Sequence, residues 1–399
     1  MPQLAPINDC SGCMACVDSC PHSAISQITN KEGHYFYKID DEKCVNCHRC
    51  EKVCPVVSDY SYGSNNLKLS QPMACWSTNT PIREAGTSGA IFGSLAKYVL
   101  EQGGIVYGSA LDNNKVYHRS ISSVNEIHLL QGSKYAQSST LGVYREIDNY
   151  LKTGRKILFS GLGCQVAGLL NYLGKRAEIK NLITIDLICG AVPSLFLIER
   201  YLQHNPNVKS IKSFRTKGRY EFTVIKQNGD EEVVPLNERP LPLCGFYTEL
   251  TNRYSCYDCK FAFAHRNSDI TIGDLWGDTE YPEQHKNGLS VAIAHSDKGK
   301  TILGKSELEI HPIEWNNFLL HNPRMVYGVN TLGKTSARHH LAEAWDSYSY
   351  ERILQEYANK ASIAQPILMT KKIIRYFRSK KKRESMIKYV EKLLKDSGL

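Results

Sequence analysis

The cysteines of this chain fall into groups whose spacing suits iron–sulfur chemistry. Two groups near the N-terminus follow the pattern C-x2-C-x2-C-x3-C-P, and the second repeats the first. Three thiolates on one tight loop can bind three irons of a [4Fe-4S] cluster, while the fourth, placed before a proline, reaches the other cluster. The spacing therefore predicts that Cys54 completes the first cluster and Cys20 the second. The two groups are Cys10, Cys13, Cys16 and Cys20, and Cys44, Cys47, Cys50 and Cys54.

Structural zinc is the alternative role for these eight thiols. Zinc sites usually contain two separated C-x2-C pairs around one tetrahedral ion, rather than three evenly spaced thiols before a Cys-Pro. Residues 1–60 resemble a bacterial two-cluster ferredoxin. This resemblance implies that the segment passes single electrons between two [4Fe-4S] clusters.

A further C-x2-C pair, Cys256 and Cys259, provides half of a four-ligand site. Cys164 and Cys189 each follow a predicted strand directly, so we expect them at the sheet edge where sites are commonly built. They are the natural partners of the pair, although single cysteines are also often buried free thiols. The two remaining cysteines are assigned structural roles: Cys75 and Cys244.

Alternating strands and helices predict α/β architecture for the region after residue 72. Apolar residues at helical spacing between Ile91 and Leu100 predict a helix that should stop at Gly103-Gly104. The stretch AHSDKGKT has Ala294 where a phosphate-binding loop needs its first glycine, so we expect an ordinary helix capped by Ser296 or Asp297. Strands are expected at 105–111, 156–160, 182–188, 222–226, 269–273 and 289–295.

Six short motifs between residue 88 and about residue 303 carry a second resemblance. They are TSGAIFGSL, GSKYAQS, GLGCQVAGL, DLICGAVPS, SCYDCKFA and SDITIGDLWG. In this order they resemble the coenzyme F420 hydrogenase/dehydrogenase beta-subunit family. The resemblance implies one bound FAD and a third [4Fe-4S] cluster beside it. The cysteines that match the family's cluster ligands are Cys164, Cys189, Cys256 and Cys259.

Five residues are candidates for contacts with FAD. Ser88 and Gly89 precede a predicted helix, whose N-terminal amides and dipole would favour the pyrophosphate. Lys134 could supply a cation, and Tyr135 and Ser138 could contact the ring or the ribityl chain. Without the resemblance, the Ser-Gly pair is an ordinary helix cap and the lysine an ordinary solvated side chain.

No catalytic residue is assigned from the sequence. Three residues near the matched motifs are candidate proton donors, and each also has a structural interpretation as a hydrogen-bonding residue. They are His118, His265 and Asp274.

The predicted organisation is an α+β ferredoxin domain at 1–60, a polar linker at 61–72, an α/β flavin-binding domain at 73–340, and a helical, basic C-terminal tail at 341–399. The net charge of +9 is concentrated in residues 371–399, which hold eleven Lys or Arg and three Asp or Glu. Because the rest of the chain is nearly neutral, we expect no nucleic-acid binding.

The tail carries an apolar stripe at helical spacing. Such a segment can bind a membrane surface or an acidic partner, although the plainer interpretation is a helix packed on its own domain. The stripe consists of Met386, Ile387, Val390, Leu393 and Leu394.

The N-terminus has no basic segment followed by an apolar one, and the longest uncharged run, 157–174, contains four glycines and several polar residues. We therefore expect a cytoplasmic protein, in which fourteen cysteines indicate metal binding or redox chemistry rather than disulfides.

Clusters carry one electron at a time, whereas a flavin can transfer two as a hydride. The leading hypothesis is an FAD-dependent iron–sulfur oxidoreductase that takes electrons from a redox partner such as a ferredoxin and reduces a small organic substrate. The alternative is an electron-input subunit of a larger complex, with coenzyme F420 or another hydride carrier as its partner. A zinc-stabilised interaction module is a third, non-enzymatic possibility.

Overall fold

The computed structural model consists of a small N-terminal module and a larger domain built on a mixed sheet. The structure describes residues 1–60, 67–178, 180–216, 221–322, 324–327, 338, 340–358 and 384–399. Among these residues, no helix combines the length and the apolar character that crossing a membrane would require.

The N-terminal module, residues 1–60, has two halves with the same backbone path. An antiparallel hairpin joins the halves, and each half has one short helix. The residue before each helix, Met14 or His48, has a left-handed φ of 60° or 55°. Gly12 and Asn46 occupy equivalent positions and have φ values of 69° and 54°. The repeat in the sequence is thus also a repeat in the backbone. The elements are β1 (Ile25–Thr29), β2 (Tyr35–Ile39), α1 (Ala15–Ser19) and α2 (Arg49–Val53).

The larger domain contains an eight-stranded sheet and a separate three-stranded antiparallel sheet. The strands are β3 (Pro72–Ser77), β4 (Ile105–Asp112), β5 (Lys115–Ile121), β6 (Ile157–Leu162), β7 (Leu182–Leu187), β8 (Val208–Ser213), β9 (Phe222–Lys226), β10 (Glu231–Val234), β11 (Ile270–Asp274), β12 (Ser290–Ala294) and β13 (Leu308–Pro312). The order in the large sheet is β13-β3-β12-β11-β7-β6-β4-β5, and the small sheet contains β8, β9 and β10. The four central strands β4, β6, β7 and β11 are parallel, and the outer ones are antiparallel.

Helices cover the sheet and connect its strands. They are α3 (Thr80–Ala85), α4 (Ile91–Leu100), α5 (Val143–Lys152), α6 (Gly163–Leu173), α7 (Phe196–His204), α8 (Leu241–Thr248), α9 (Pro282–Asn287), α10 (Asp297–Lys305), α11 (Trp315–His321) and α12 (Arg324–Tyr327), followed by Leu341–Ser347, Tyr350–Tyr357 and the helical residues 384–396. Successive residues of β6 alternate between two core clusters: Leu158 packs with Leu95 of α4, and Phe159 packs with Tyr144 of α5. The domain is therefore a layered α/β structure, as predicted.

Several predicted elements are confirmed at residue level. Helix α4 covers the apolar positions at helical spacing and ends before Gly103-Gly104, and β9 coincides with the predicted strand 222–226. The start of α10 is capped as expected, because Ser296 Oγ accepts a hydrogen bond from the Gly299 amide at 3.0 Å. The stretch AHSDKGKT is therefore a helix start.

The N-terminal module is fixed to the larger domain by buried polar contacts. Asp18 of α1 is 3% exposed, and its carboxylate accepts hydrogen bonds from the amides of Gly142 at 2.7 Å and Tyr144 at 3.0 Å. These amides belong to the start of α5, so a side chain of the module caps a helix of the sheet domain. Glu32 makes a two-pronged ion pair with Arg338 at 2.8 and 2.7 Å.

Part of the predicted linker and part of the predicted tail pack on the sheet domain. Leu67 and Ser70 are buried, and β3 begins at Pro72. Met386 and Val390 are buried in the same cluster as Leu67. The apolar stripe of the last helix thus packs on its own domain, which was the plainer interpretation of that segment. Residues 61–66 and the strongly basic 371–383 lie outside the described residues.

Candidate functional site

The first set of thiols surrounds a cavity in the N-terminal module. Apolar side chains complete the wall of this cavity, which has a volume of about 340 Å³ including its mouth. The Gly12 amide also points at the Cys10 sulfur, with an N to Sγ distance of 3.4 Å. The thiols that line it are Cys10, Cys13, Cys16 and Cys54. This grouping is the one expected from the spacing, with the fourth thiol contributed by the second half.

Three thiols of this set, Cys10, Cys13 and Cys16, are placed where free thiolates would be unstable. Burial, with a smaller contribution from the neighbouring Cys54, raises the pKa of Cys13 to about 12. Burial raises the pKa of Cys16 as well, and the charges of Cys13, Cys10 and Cys54 act in the same direction. Metal coordination deprotonates a thiol outright, so bound iron would remove this penalty. The residues present fit a cluster.

The second set of thiols is more open to solvent. Cys47 is exposed and Cys44 is half-buried, whereas Cys50 is buried. Burial raises the pKa of Cys50 to about 11, and Cys47 is among the neighbouring charges that contribute. The amide of Ala24 donates to the sulfur of Cys20 at 3.3 Å. The two halves of the module therefore differ in exposure although their backbones are alike.

The third set of thiols converges at the carboxyl edge of the sheet. Cys164 is the second residue of α6, directly after β6, and Cys189 follows β7. Because β6 and β7 are parallel neighbours, their carboxyl ends meet at one edge. Cys256 lies in the short 3-10 helix Tyr254–Asp258, and Cys259 ends it. Burial raises the pKa of Cys164, and the thiols of Cys259, Cys189 and Cys256 all raise it further. The four side chains predicted to form one set therefore lie together.

Within the residues that the structure describes, no three His, Cys, Asp or Glu side chains are close enough to hold a single metal ion. A single metal ion needs its ligands close together. A [4Fe-4S] cluster is larger, and its four cysteine ligands are therefore farther apart. The two cysteines assigned structural roles are buried in apolar surroundings: Cys75 in β3 and Cys244 in α8.

The first and third sets adjoin each other through helix α6. The charge of Cys13 is among those that raise the pKa of Cys164. One turn after Cys164, a Cβ placed on Gly168 would lie 2.9 Å from the sulfur of Cys13 and 3.2 Å from the Tyr144 hydroxyl. Only a residue without a side chain leaves room for this approach. Gly168 therefore sets the separation between the ferredoxin module and the sheet edge.

Replacing Gly168 by alanine is expected to destabilise the protein by about 1–3 kcal/mol, because the added methyl group would overpack the contact with Cys13. Gly304→Ala is the matched control. Gly304 is also in a helix, but a Cβ there would meet open space, so this change should stabilise by up to about 1 kcal/mol. Thermal unfolding of both variants measures the difference. Equal effects of the two substitutions would contradict the close contact.

The residues proposed to hold FAD differ in whether their polar groups already form hydrogen bonds within the protein. The Gly89 amide donates to Ser290 Oγ at 2.8 Å, and Ser88 Oγ donates to the Leu289 carbonyl at 2.8 Å. Ser88 and Gly89 cannot offer these groups to a phosphate without giving up bonds to the β12 region.

Lys134 is different, because its half-buried ammonium donates to the carbonyls of Leu130 and Gln131, at 2.9 and 2.7 Å. Within the described part of the chain, it has no carboxylate partner. Burial lowers its pKa to about 7. Lys134 therefore fits an anionic group.

Tyr135 and Ser138 are partly or wholly engaged within the protein. Tyr135 stacks on Phe246 of α8, with ring centroids 4.2 Å apart and planes 12° apart, and makes edge contacts with Phe214 and Tyr247. Ser138 is buried and its hydroxyl pairs with His118 Nδ1 at 2.8 Å. His118 Nε2 lies 3.0 Å from the Ser160 carbonyl, and burial lowers its pKa to about 4. His118 is thus a neutral, structural residue.

The other two candidate proton donors lie in different surroundings. Asp274, at the end of β11, forms an ion pair with Arg215 at 2.6 Å. His265 is half-buried and lines a second cavity of about 280 Å³, together with Lys260 and Arg266. Gly163 and Phe261 border the same cavity, which places it next to the third thiol set.

Two buried polar groups at this edge were not predicted. Asp186 in β7 pairs with Arg266 at 3.1 Å and accepts a hydrogen bond from Thr271. A carboxylate inside the apolar run LITIDL was the available signal. Arg253 is 2% exposed and bonds to the Cys10 carbonyl at 3.1 Å. No local pattern marks it, because Cys10 lies 243 residues away in the sequence.

Comparisons with known proteins identify two regions of the chain. Residues 154–314 match the family described as the C terminus of the beta subunit of coenzyme F420 hydrogenase/dehydrogenase. Residues 9–57 match the family "4Fe-4S dicluster domain". Among curated proteins, Ferredoxin Fdx2 from Sorangium cellulosum is 43% identical over 54 residues, which is 12% of this chain and 48% of that ferredoxin. The match thus spans about half of its length.

Among solved structures, a chain in a xenon derivative of the F420-reducing [NiFe] hydrogenase complex from Methanosarcina barkeri matches with 19% identity and a TM-score of 0.43. The match covers 71% of this chain and 91% of that chain. The two family matches confirm both resemblances drawn from the sequence. The chain combines an iron–sulfur cluster domain with a beta-subunit-like region, which indicates an oxidoreductase.

Proposed function

We propose that this protein is an FAD-dependent iron–sulfur oxidoreductase with three [4Fe-4S] clusters, which exchanges electrons with a redox partner and reduces a small organic substrate. Clusters supply one-electron steps, and a flavin joins them to a two-electron reaction. The observation that carries the proposal is the position of Cys164, which lies close to its three partners and to Cys13 of the ferredoxin module. Two sets of thiols in different domains therefore meet at the carboxyl edge of the sheet.

The residues of the chain have distinct roles in this proposal. Cys10, Cys13, Cys16 and Cys54 would hold the first cluster, and Cys44, Cys47, Cys50 and Cys20 the second. Cys164, Cys189, Cys256 and Cys259 would hold the third. The exposure of Cys47 makes the second set the contact point for an external donor or acceptor. The first set adjoins both of the others, because Cys50 of the second set lies near Cys16 and Cys164 of the third lies near Cys13.

Lys134 is the residue that best supports a flavin at the same edge. Its ammonium is available to a pyrophosphate because its partners, the carbonyls of Leu130 and Gln131, bring no counter-charge. Tyr135, the next residue, stacks on Phe246 and would contact the ring or the ribityl chain of the flavin. Ser88, Gly89 and Ser138 would contribute through the loops that they hold in place rather than through direct contact.

The family match over residues 154–314 favours a second candidate, an electron-input subunit that exchanges hydride with coenzyme F420. In this case the electrons would leave through the second thiol set to a larger complex. The geometry at the sheet edge serves either direction of electron flow.

The test is the cofactor content and donor specificity of protein purified and reconstituted without oxygen. The proposal expects about twelve irons, as much sulfide and one FAD per chain. Rapid oxidation or reduction of free coenzyme F420 would identify the input subunit. Reduction of an organic compound with reduced ferredoxin, without reaction of coenzyme F420, would identify the reductase. About two zinc ions and no iron would overturn both and indicate an interaction module.

A further inference from the structure

Arg253 is a buried guanidinium that lies between the first and third thiol sets. Its Nη1 donates to the Cys10 carbonyl at 3.1 Å, and its Nη2 donates to Gln137 Oε1 at 2.6 Å and to the Tyr35 carbonyl. Among the described residues, its buried Nε has no hydrogen-bond partner. In the same part of the chain, no carboxylate lies within 4.0 Å of this guanidinium.

The backbone of Arg253 belongs to the third set. Its amide donates to the Val192 carbonyl at 2.8 Å, in the loop that follows Cys189. Its carbonyl accepts a hydrogen bond from the Cys256 amide at 3.0 Å. The neighbouring Ser255 hydroxyl also donates to the Cys10 carbonyl, at 3.0 Å. Arg253 is thus anchored in the loops of the third set while its side chain reaches the loop of the first.

The lack of a carboxylate partner sets Arg253 apart from comparable residues. Arg338 is also 2% exposed but pairs with Glu32, and the buried Arg266 pairs with Asp186. An unpaired buried charge is costly, so a negative charge must be supplied by something nearby. The two thiol sets are the groups placed to supply it, because the Arg253 guanidinium bonds to the Cys10 carbonyl and the Arg253 carbonyl accepts a hydrogen bond from the Cys256 amide.

We propose that Arg253 is a shared counter-ion of the first and third clusters and raises the reduction potentials of both relative to the second. The proposal rests on the proposed function only in that both thiol sets hold clusters. Reduction adds one electron, and hence one negative charge, to a cluster. A fixed cation beside the cluster favours the reduced form, and net charge is among the factors that set cluster potentials. Arg253 is a positioning residue, because it touches the ligand loops and no reacting atom.

Two variants test the charge of Arg253, one by removing it and the other by neutralising it. Arg253→Met deletes the guanidinium and keeps a similar length of side chain. Gln137→Glu keeps Arg253 and the two hydrogen bonds that Oε1 accepts, from Arg253 and from the Tyr35 amide, but it adds a carboxylate 2.6 Å from the guanidinium. The readout is a redox titration of the full-length reconstituted protein, followed by electron paramagnetic resonance.

In both variants, we expect two of the three potentials to become more negative and one to stay unchanged. At a fixed applied potential, the ratio of reduced to oxidised cluster should fall about tenfold for these two, which corresponds to about 59 mV for one electron. Arg253→Lys keeps the charge and should keep all three potentials near their wild-type values. Arg338→Met is the matched control, because this variant removes a different buried arginine and leaves Arg253 beside the first and third clusters.

The outcomes separate this proposal from the proposed function. Fewer than about twelve irons in the wild type would overturn the function and the counter-ion together. If the wild type holds about twelve irons but the cluster potentials are unchanged in Gln137→Glu, only the counter-ion proposal is overturned. An equal shift of all three potentials would have the same meaning. If Arg253→Met loses iron, the potentials of Gln137→Glu decide whether Arg253 is the counter-ion. This variant retains both hydrogen bonds that Oε1 of residue 137 accepts.

Discussion

Cys256→Ser is expected to lose about four of twelve irons while the remaining eight stay bound. Cys256 lies in the set whose four thiols meet at the sheet edge, and burial raises its pKa to about 12. Serine is a poorer ligand for iron than a thiolate, which is the soft ligand that iron–sulfur clusters require. The ferredoxin thiols belong to other loops, so their eight irons should be unaffected. The measurement is iron and acid-labile sulfide per chain after anaerobic reconstitution.

The controls for this prediction are substitutions of the two other buried cysteines. Cys75→Ser and Cys244→Ser should both keep about twelve irons, since neither thiol lies in a set. Cys164→Ser should reproduce the loss seen in Cys256→Ser, because its thiol interacts with all three partners. Eight irons in the wild type and in both set variants would show that this set binds no cluster.

Lys134→Met is expected to weaken FAD binding about 10–100-fold, which corresponds to the loss of about 1.5–3 kcal/mol from hydrogen bonds to a charged group. Lys134 is half-buried and its ammonium donates to carbonyls, so a bound pyrophosphate would supply the missing counter-charge. The measurement is the dissociation constant of FAD with flavin-free protein. Lys115→Met is the control, because Lys115 is an exposed lysine at the first residue of β5.

The same residue gives the binding of FAD a dependence on pH. In the folded, flavin-free protein the pKa of Lys134 is lowered to about 7, so the ammonium is present below pH 7 and lost above it. FAD favours the protonated form, and each pH unit above 7 should therefore weaken binding up to about tenfold. In Lys134→Met this slope should disappear. A slope that persists in the variant would assign the titration to another group.

Local patterns were sufficient for elements whose determinants are close in sequence. Helix α4 and the cap at Ser296 depend on periodicity and on a side chain that bonds three residues ahead. Strand β3 was not predicted, because its pairing partners, β12 and β13, lie more than two hundred residues away. The outer strands β3 and β13 therefore depend on long-range pairing that no local window contains.

The residues of the site also divide into those marked by local sequence and those that depend on long-range contacts. The position of Cys164 after a strand made it a candidate partner of the C-x2-C pair, and the family resemblance implied the complete set. The sequence did not indicate that the Gly89 amide is already taken by Ser290, 201 residues later. Arg253 was missed for the same reason, because its partners are residues of the N-terminal module. Hydrogen bonds between residues far apart in the sequence can be recognised only when the structure shows the two segments side by side.

The contacts that hold the N-terminal module have a consequence for its evolution. Asp18 caps a helix of the sheet domain, Glu32 pairs with Arg338, and the Cys10 carbonyl receives two donors from the loop around Cys256. A free ferredoxin grafted in its place would leave the start of α5 uncapped and Arg338 unpaired inside the protein. The inner face of the module and the sheet domain must therefore change together, whereas the exposed surface around Cys47 takes no part in these contacts.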